Sequence, residues 1–416
     1  MDTVNGSASG SGVASGGFAR TWGRRLVTLL AAVVTLLVVV MVVGALFPPT
    51  RLIAVIGSVF VSFFTLHVFL AGLVGVALAL RARRLGGRRA TTIILWLAIL
   101  ATVGATVPLF ALVRMAHHYG APISWAAHLR AAAPGPRPAP DQTQRFATVD
   151  GKSLYLDIYL PASAASRSPS GTATPAAPVV MIHGGGYSLG ERSDGIRWDR
   201  WLAARGYSVF DVDYRLDPPV TWNLAAADVA CAMAWVASHA NDYHIVPDRM
   251  LITGQSAGGG LAMQVAYGLG DGTVTSSCGG AVPQPKAVFA LYPPDDFAMA
   301  WNLDTGLAAV SSRVFNTGYL GGSPEQFPER YRVTSPVFHV RPGLPPTLIA
   351  AGAVDHLVPV AGHAEMVVKL DAAGVPNAWL SVPYGEHGYD LVWGGLGGQI
   401  TRKVVADFLE RYLPAE

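Results

Sequence analysis

Gly254-Gln255-Ser256-Ala257-Gly258 follows the apolar run Met250-Leu251-Ile252-Thr253 and precedes the small-residue run Gly259-Gly260-Leu261-Ala262-Met263. That order spells strand, sharp turn, helix. A serine on such a turn sits in strained backbone. Gly254 and Gly258 on either side let strand and helix pass close to it, so the hydroxyl projects clear of the sheet edge.

Ser256 is a poor nucleophile at neutral pH unless a base takes its proton, and histidine is the side chain best suited to do so. His387 is the candidate base, in Tyr384-Gly385-Glu386-His387-Gly388-Tyr389 just beyond the last expected strand. The imidazolium formed during attack needs a carboxylate to fix its tautomer and balance its charge. Asp355, in Gly352-Ala353-Val354-Asp355-His356, follows the expected strand 347–351 and fits that role. Glu386 and Asp390 are rivals, but the sequence neighbour of a base usually points away from its Nδ1. His183 and His356 read as structural. The order Ser, Asp, His differs from the chymotrypsin and subtilisin orders.

Upstream, the strand-type run Pro178 to Ile182 leads directly into His183-Gly184-Gly185-Gly186-Tyr187. Successive glycines leave amide N–H groups unshielded, which suits an anionic oxygen. From about Gln144 onward, short apolar runs alternate with helical patterns. A hairpin is expected over 146–159 around Asp150-Gly151, helices near 197–205 and 224–239, and strands over 207–213, 286–291, 347–351 and 378–382. Such alternation predicts a largely parallel sheet covered by helices on both faces, with Ser256, Asp355 and His387 just past strand carboxyl ends.

The glycine tract, Gly254 to Gly258, Asp355 and His387, in this order, resemble the α/β-hydrolase superfamily, specifically its HGGG-bearing esterase/lipase branch related to hormone-sensitive lipase. Tyr214-Arg215-Leu216 is similar to that branch, and Asp157-Ile158-Tyr159-Leu160-Pro161 to its carboxylesterase and prenylcysteine-methylesterase-like members. The resemblance covers residues 144–416. It implies an α/β-hydrolase fold, and an oxyanion hole built from the amides of Gly185, Gly186 and Ala257 and supported by His183, Gly184, Gly254 and Gly258. It also puts Tyr187 at the substrate pocket. No large cap is evident, and the stretch 295–340 is the best candidate for one. The activity implied is hydrolysis of carboxylic esters, from small acyl esters to lipids, through an acyl-enzyme, with no metal or organic cofactor. An acyltransferase using the same intermediate and a non-catalytic scaffold on the same fold are the alternatives.

The N-terminal third lies outside this resemblance. Of the 416 residues, 51% are hydrophobic and 14% charged, an apolar excess that points to membrane-embedded sequence. Residues 1–19, rich in Ser, Gly and Ala, are expected to be disordered. Within 20–118, uncharged runs at about 26–47, 52–80 and 90–113 are each long enough for a helix to cross a hydrocarbon core of about 30 Å. Arg81, Arg83, Arg84, Arg88 and Arg89 lie between the second and third runs, and Arg51 alone between the first two. Positive short loops stay in the cytoplasm, so the N-terminus is expected inside a cell membrane and the catalytic domain outside it. Residues 119–143 read as a Pro-rich linker. The net charge of +3, with lysine only at 152, 286, 369 and 403, provides no basic stripe for nucleic acid. Cys231 and Cys278 are either two buried thiols or, in an oxidising compartment, one disulfide. Oligomeric state is not legible.

Overall fold

A computed structural model of the chain describes residues 13–47, 51–86, 89–131, 139–162, 175–303 and 311–415. Its Cα packing divides it into two units, residues 1–111 and 112–416.

Long uncharged runs form helices in a bilayer because a helix satisfies its backbone N–H and C=O groups within the segment. Helices α1 (Val13–Leu46), α2 (Arg51–Arg84) and α3 (Arg89–His118) follow this rule. Over Thr21–Leu46 and the full lengths of α2 and α3, they are long and apolar enough to cross a membrane. They outrun the expected 26–47, 52–80 and 90–113 because arginine is a good helix former and an established helix propagates through it. Helix α1 starts within the stretch expected to be disordered, and residues 1–12 lie outside the described residues. Small residues set the packing: a side chain at Gly44 would collide with the carbonyl oxygen of Ile53. Residue Phe64 interrupts α2 with φ −130° and ψ 36°, and its ring meets that of His67 edge-on.

The expected linker, which falls in the second unit, holds structure of its own. Ser124 caps a short helix α4 (Trp125–Leu129) by accepting from the Ala127 amide. The Ser124 amide donates to Gln399 Oε1 at 2.7 Å, and His128 Nδ1 pairs with the Gly394 carbonyl at 3.1 Å. The stretch 119–143 is therefore not linker throughout. The apolar and capping residues 124–129 dock on the same unit as Gln399, and 132–138 lie outside the described residues.

Strands β1 (Gln142–Val149) and β2 (Lys152–Tyr159) form the expected hairpin, turning at Asp150-Gly151 with φ of 51° and 77°, the left-handed pair that two-residue hairpins favour. Then follow β3 (Pro178–Ile182), α5 (Ile196–Ala203), β4 (Ser208–Val212), α6 (Ala225–Ser238), β5 (Leu251–Gln255), α7 (Ala257–Asp271) and β6 (Ala287–Leu291). Helices α8 (Phe297–Asn302), α9 (Ser312–Leu320) and α10 (Pro328–Thr334) precede β7 (Thr347–Gly352), α11 (Val360–Ala372), β8 (Asn377–Val382) and α12 (Leu396–Tyr412). The sheet order is β1-β2-β4-β3-β5-β6-β7-β8. The β1–β2 and β2–β4 pairs are antiparallel and every pair from β4–β3 onward is parallel.

On one face, Ile182, Ile252 and Val288 pack with Val229 and Met233 of α6 and Leu261 of α7, all fully buried. Each such side chain stabilises the fold by about 1.5–3 kcal/mol. On the other, the Trp198 ring of α5 lies 5.5 Å from that of Phe289. Arg215, singled out in the Tyr-Arg-Leu motif, forks onto the wholly buried Asp228 of α6 through Nε and Nη2 at 2.7 and 2.8 Å. This fastens the segment after β4 to α6.

Cys231 of α6 and Cys278, in the loop after α7, form a disulfide with Cα atoms 5.4 Å apart. It closes a 47-residue separation. Cys278→Ser, at the loop end of the bridge, is expected to lower stability by about 2–4 kcal/mol. The urea midpoint would show it, and dithiothreitol should reproduce the shift in the unmodified protein. An unchanged midpoint in both would contradict a stabilising bridge.

Candidate active site

The parallel strands bring four loops to one sheet edge. The glycine tract leaves β3, Ser256 leaves β5, Asp355 follows β7 and His387 follows β8. Ser256 has φ 53° and ψ −121°, a combination that an L-residue holds only under constraint. The constraint is close packing: a side chain at Gly258 would collide with the Ile182 carbonyl, and one at Gly254 with the backbone of Gly258. The Ser256 amide donates to the Leu291 carbonyl at 2.9 Å, which pins the turn to β6.

His387 Nε2 lies 2.8 Å from Ser256 Oγ, and His387 Nδ1 lies 2.8 Å from Asp355 Oδ2. The Asp355 side chain is wholly buried, and its other oxygen accepts the amides of Leu357 and Val358 at 2.8 Å each. With that oxygen occupied, only Oδ2 faces the imidazole. The two rivals for the acid role are engaged elsewhere. Glu386 accepts the amides of His356 and His387 at 2.8 and 2.9 Å and meets His356 Nδ1 at 2.7 Å. Asp390 accepts from Trp198 Nε1, Gln255 Nε2 and Tyr292 OH at 2.7–2.9 Å.

Gly184, Gly185 and Gly186 border the same cavity as Ser256 and His387. Gly185 and Gly186 have φ of 111° and 61°, and a side chain at Gly186 would strike the Phe315 ring. Among the described residues, the amides of Gly185, Gly186 and Ala257 donate to no protein acceptor. Ala257 opens α7, where the helix dipole adds positive potential. His183 stacks on Tyr214 at 4.4 Å, and its Nδ1 lies 2.7 Å from the Gly184 carbonyl. Burial holds its pKa below the ordinary imidazole value. Tyr187 is buried, has φ 68°, stacks on Tyr319 at 3.7 Å and lines the cavity.

The cavity holds about 720 Å³, with mostly apolar walls that include Leu189, Phe315, Leu357, Val358 and Trp393. Phe315 and Asn316 of α9 close one side, so the 295–340 stretch does cover part of the site. Sequence reasoning passed over Tyr292, whose ring sits 4.6 Å from His387 and whose hydroxyl is held by Asp390. Its signal was weak: a single tyrosine ending β6 before Pro293-Pro294. Among the described residues, no group of three His, Cys, Asp or Glu side chains is disposed to hold a metal.

A family model described as BD-FAE matches residues 156–370, just over half of the chain. Among curated proteins, the chain is 28% identical over 262 residues to the probable carboxylic ester hydrolase LipM of Mycobacterium tuberculosis, covering 62% of this chain and 58% of that one. It is 27% identical over 287 residues to Lipase 2 of a Moraxella species, covering 62% of this chain and 65% of the other. The chain thus spans about three fifths of the length of these relatives. Among solved structures, a propionate-bound esterase of Thermogutta terrifontis superposes with TM-score 0.51 at 24% identity, over 67% of this chain and 96% of that one. That likeness concerns the fold alone.

Glu386 ties the loop bearing Asp355 to the loop bearing His387, and its hydrogen bond raises the pKa of His356 above the ordinary imidazole value although burial opposes the shift. A histidine raised in the folded state adds stability that is fully present below its unfolded pKa of about 6.5 and is lost as pH climbs through the folded value. Glu386→Gln should therefore cost more stability at pH 6 than at pH 9, as read from thermal midpoints. An equal loss at both values would mean that the carboxylate acts only through the two amides.

Proposed function

We propose that this chain, which belongs to the BD-FAE family of α/β-hydrolase type, is a membrane-anchored serine hydrolase of carboxylic esters. The observation that carries the reading is the hydrogen-bonded line from Ser256 Oγ through His387 to Asp355, beside amides that donate to no protein acceptor among the described residues.

In this mechanism His387 Nε2 takes the Ser256 proton as Oγ bonds to the ester carbonyl carbon, and the carbonyl π electrons move onto oxygen. The amides of Gly185, Gly186 and Ala257 receive that oxyanion. Preorganised donors of this kind are each worth about 10²–10³ in turnover. Asp355, fixed by the Leu357 and Val358 amides, balances the imidazolium. His387 then returns the proton to the alkoxide as the C–O bond breaks, leaving Ser256 acylated. A water deprotonated by His387 attacks the acyl-enzyme in a second round of the same steps, releasing the acid and restoring the serine. Tyr187, Phe315 and the apolar walls would take the hydrocarbon part of the ester. None of these steps calls for a metal or organic cofactor.

The three spanning helices would anchor the enzyme with the arginine-rich stretch 81–89 on the cytoplasmic side. The catalytic unit would then lie outside the cell membrane. The Cys231–Cys278 disulfide supports that side, since such bonds persist in oxidising compartments.

Ser256→Ala is expected to lower hydrolysis of p-nitrophenyl butyrate by a factor on the order of 10⁴–10⁶, with folding retained by circular dichroism. Activity within tenfold of the unmodified chain would place the nucleophile elsewhere.

A further inference from the structure

The arginines of the first unit have no acidic neighbour in sequence: from Thr3 to Pro140 the chain contains neither Asp nor Glu. The tendency of positive loops to stay on one side explains why Arg24, Arg25, Arg81, Arg83, Arg84 and Arg89 share one end of the helices. It does not explain why two of them line a concavity. Arg24 and Arg25 of α1 border a cavity of about 560 Å³, together with Leu29 and Ala32 one to two turns along, Gly86 of the α2–α3 turn, and Ala90 of α3. A side chain at Gly86 would stand 3.8 Å from Arg24 Nη1, so this guanidinium reaches across to the turn. Arg24 is half-buried and Arg25 exposed, whereas Arg81, Arg83 and Arg84 are exposed and do not border the cavity.

A partly desolvated guanidinium that pairs with no carboxylate among the described residues calls for an anion from elsewhere. At the ends of membrane-spanning helices the anion at hand is a lipid phosphate. The planar fork of arginine matches phosphate oxygens in pairs. The apolar wall formed by Leu29, Ala32 and Ala90 suits the first carbons of acyl chains, which an inorganic anion does not have. We propose that this cleft holds the headgroup of an anionic phospholipid, with its phosphate on Arg24 and Arg25. Basic pockets between spanning helices are suited to such headgroups. The site is independent of the ester-hydrolase reading, and its test measures binding only.

The test uses the full chain in a mild detergent, studied by native mass spectrometry with added phosphatidylglycerol, phosphatidylcholine or inorganic phosphate. For the unmodified protein, phosphatidylglycerol should bind at least about tenfold more tightly than phosphatidylcholine, and millimolar phosphate should not displace it. Arg24→Gln with Arg25→Gln should abolish the preference. Arg83→Gln with Arg84→Gln, which removes the same charge outside the cleft, should leave it intact. Equal binding of both lipids by the unmodified protein would overturn the proposal without recourse to any variant. Displacement by phosphate would overturn the lipid assignment, and an equal loss in both double variants would reduce the site to surface charge.

Discussion

Between β5 and α7 the backbone can turn as it does only because no side chain stands at 254 or 258. Any Cβ at Gly258 would occupy the space of the Ile182 carbonyl, and one at Gly254 would meet the backbone of Gly258. That absence of atoms allows Ser256 to hold φ 53° and allows β3 to run alongside β5. The glycine tract leaving β3 then borders the cavity into which Ser256 faces. A backbone strain of this kind, of order 1–3 kcal/mol, persists only where the surroundings over-determine it. Here the Ser256 amide bonded to Leu291 and the buried α7 helix do so.

Around this turn the polar groups are arranged in layers. His387 reaches the hydroxyl directly, and Asp355 reaches the far nitrogen of the same imidazole. Behind them Glu386 bridges the two loops by collecting amides from both, and Asp390 gathers three donors at the base of the cavity, among them the hydroxyl of the tyrosine that packs against His387. Burial and the adjacent Asp390 charge keep the Tyr292 hydroxyl protonated far above neutral pH, so it remains a donor throughout the working range. Each carboxylate is saturated by its own donors, and this separates the roles of three acids lying within 36 positions of one another.

The sheet, the hairpin and the residues at its carboxyl edge were legible in the sequence because each carries a local signal. Alternating apolar runs mark strands, Asp150-Gly151 marks a turn, and glycines flank Ser256. The preference for Asp355 over Glu386 and Asp390 rests on the argument that a neighbour of the base points away from it, and Asp355 Oδ2 is the carboxylate oxygen that lies 2.8 Å from His387 Nδ1. What the sequence hid are contacts fixed by tertiary packing. Tyr292, the Phe315 wall and the bonds from residues 124–128 to Gln399 and Gly394 join segments tens to hundreds of positions apart, with no periodic pattern to announce them. The expected linker is too long for the same reason: proline content signals extension, but a capped five-residue helix docked by hydrogen bonds to Gln399 and Gly394 leaves little compositional trace.

The central claim is that the hydroxyl at 256, the imidazole at 387 and the amides at 185, 186 and 257 act on one reacting centre. A crystal structure of the chain inactivated by an organophosphonate tests it most directly. The account predicts phosphorus bonded to Ser256 Oγ, with the phosphoryl oxygen about 2.7–3.1 Å from those amide nitrogens. Phosphorus on another residue, or on Ser256 with its phosphoryl oxygen turned away from the glycine tract, would contradict it.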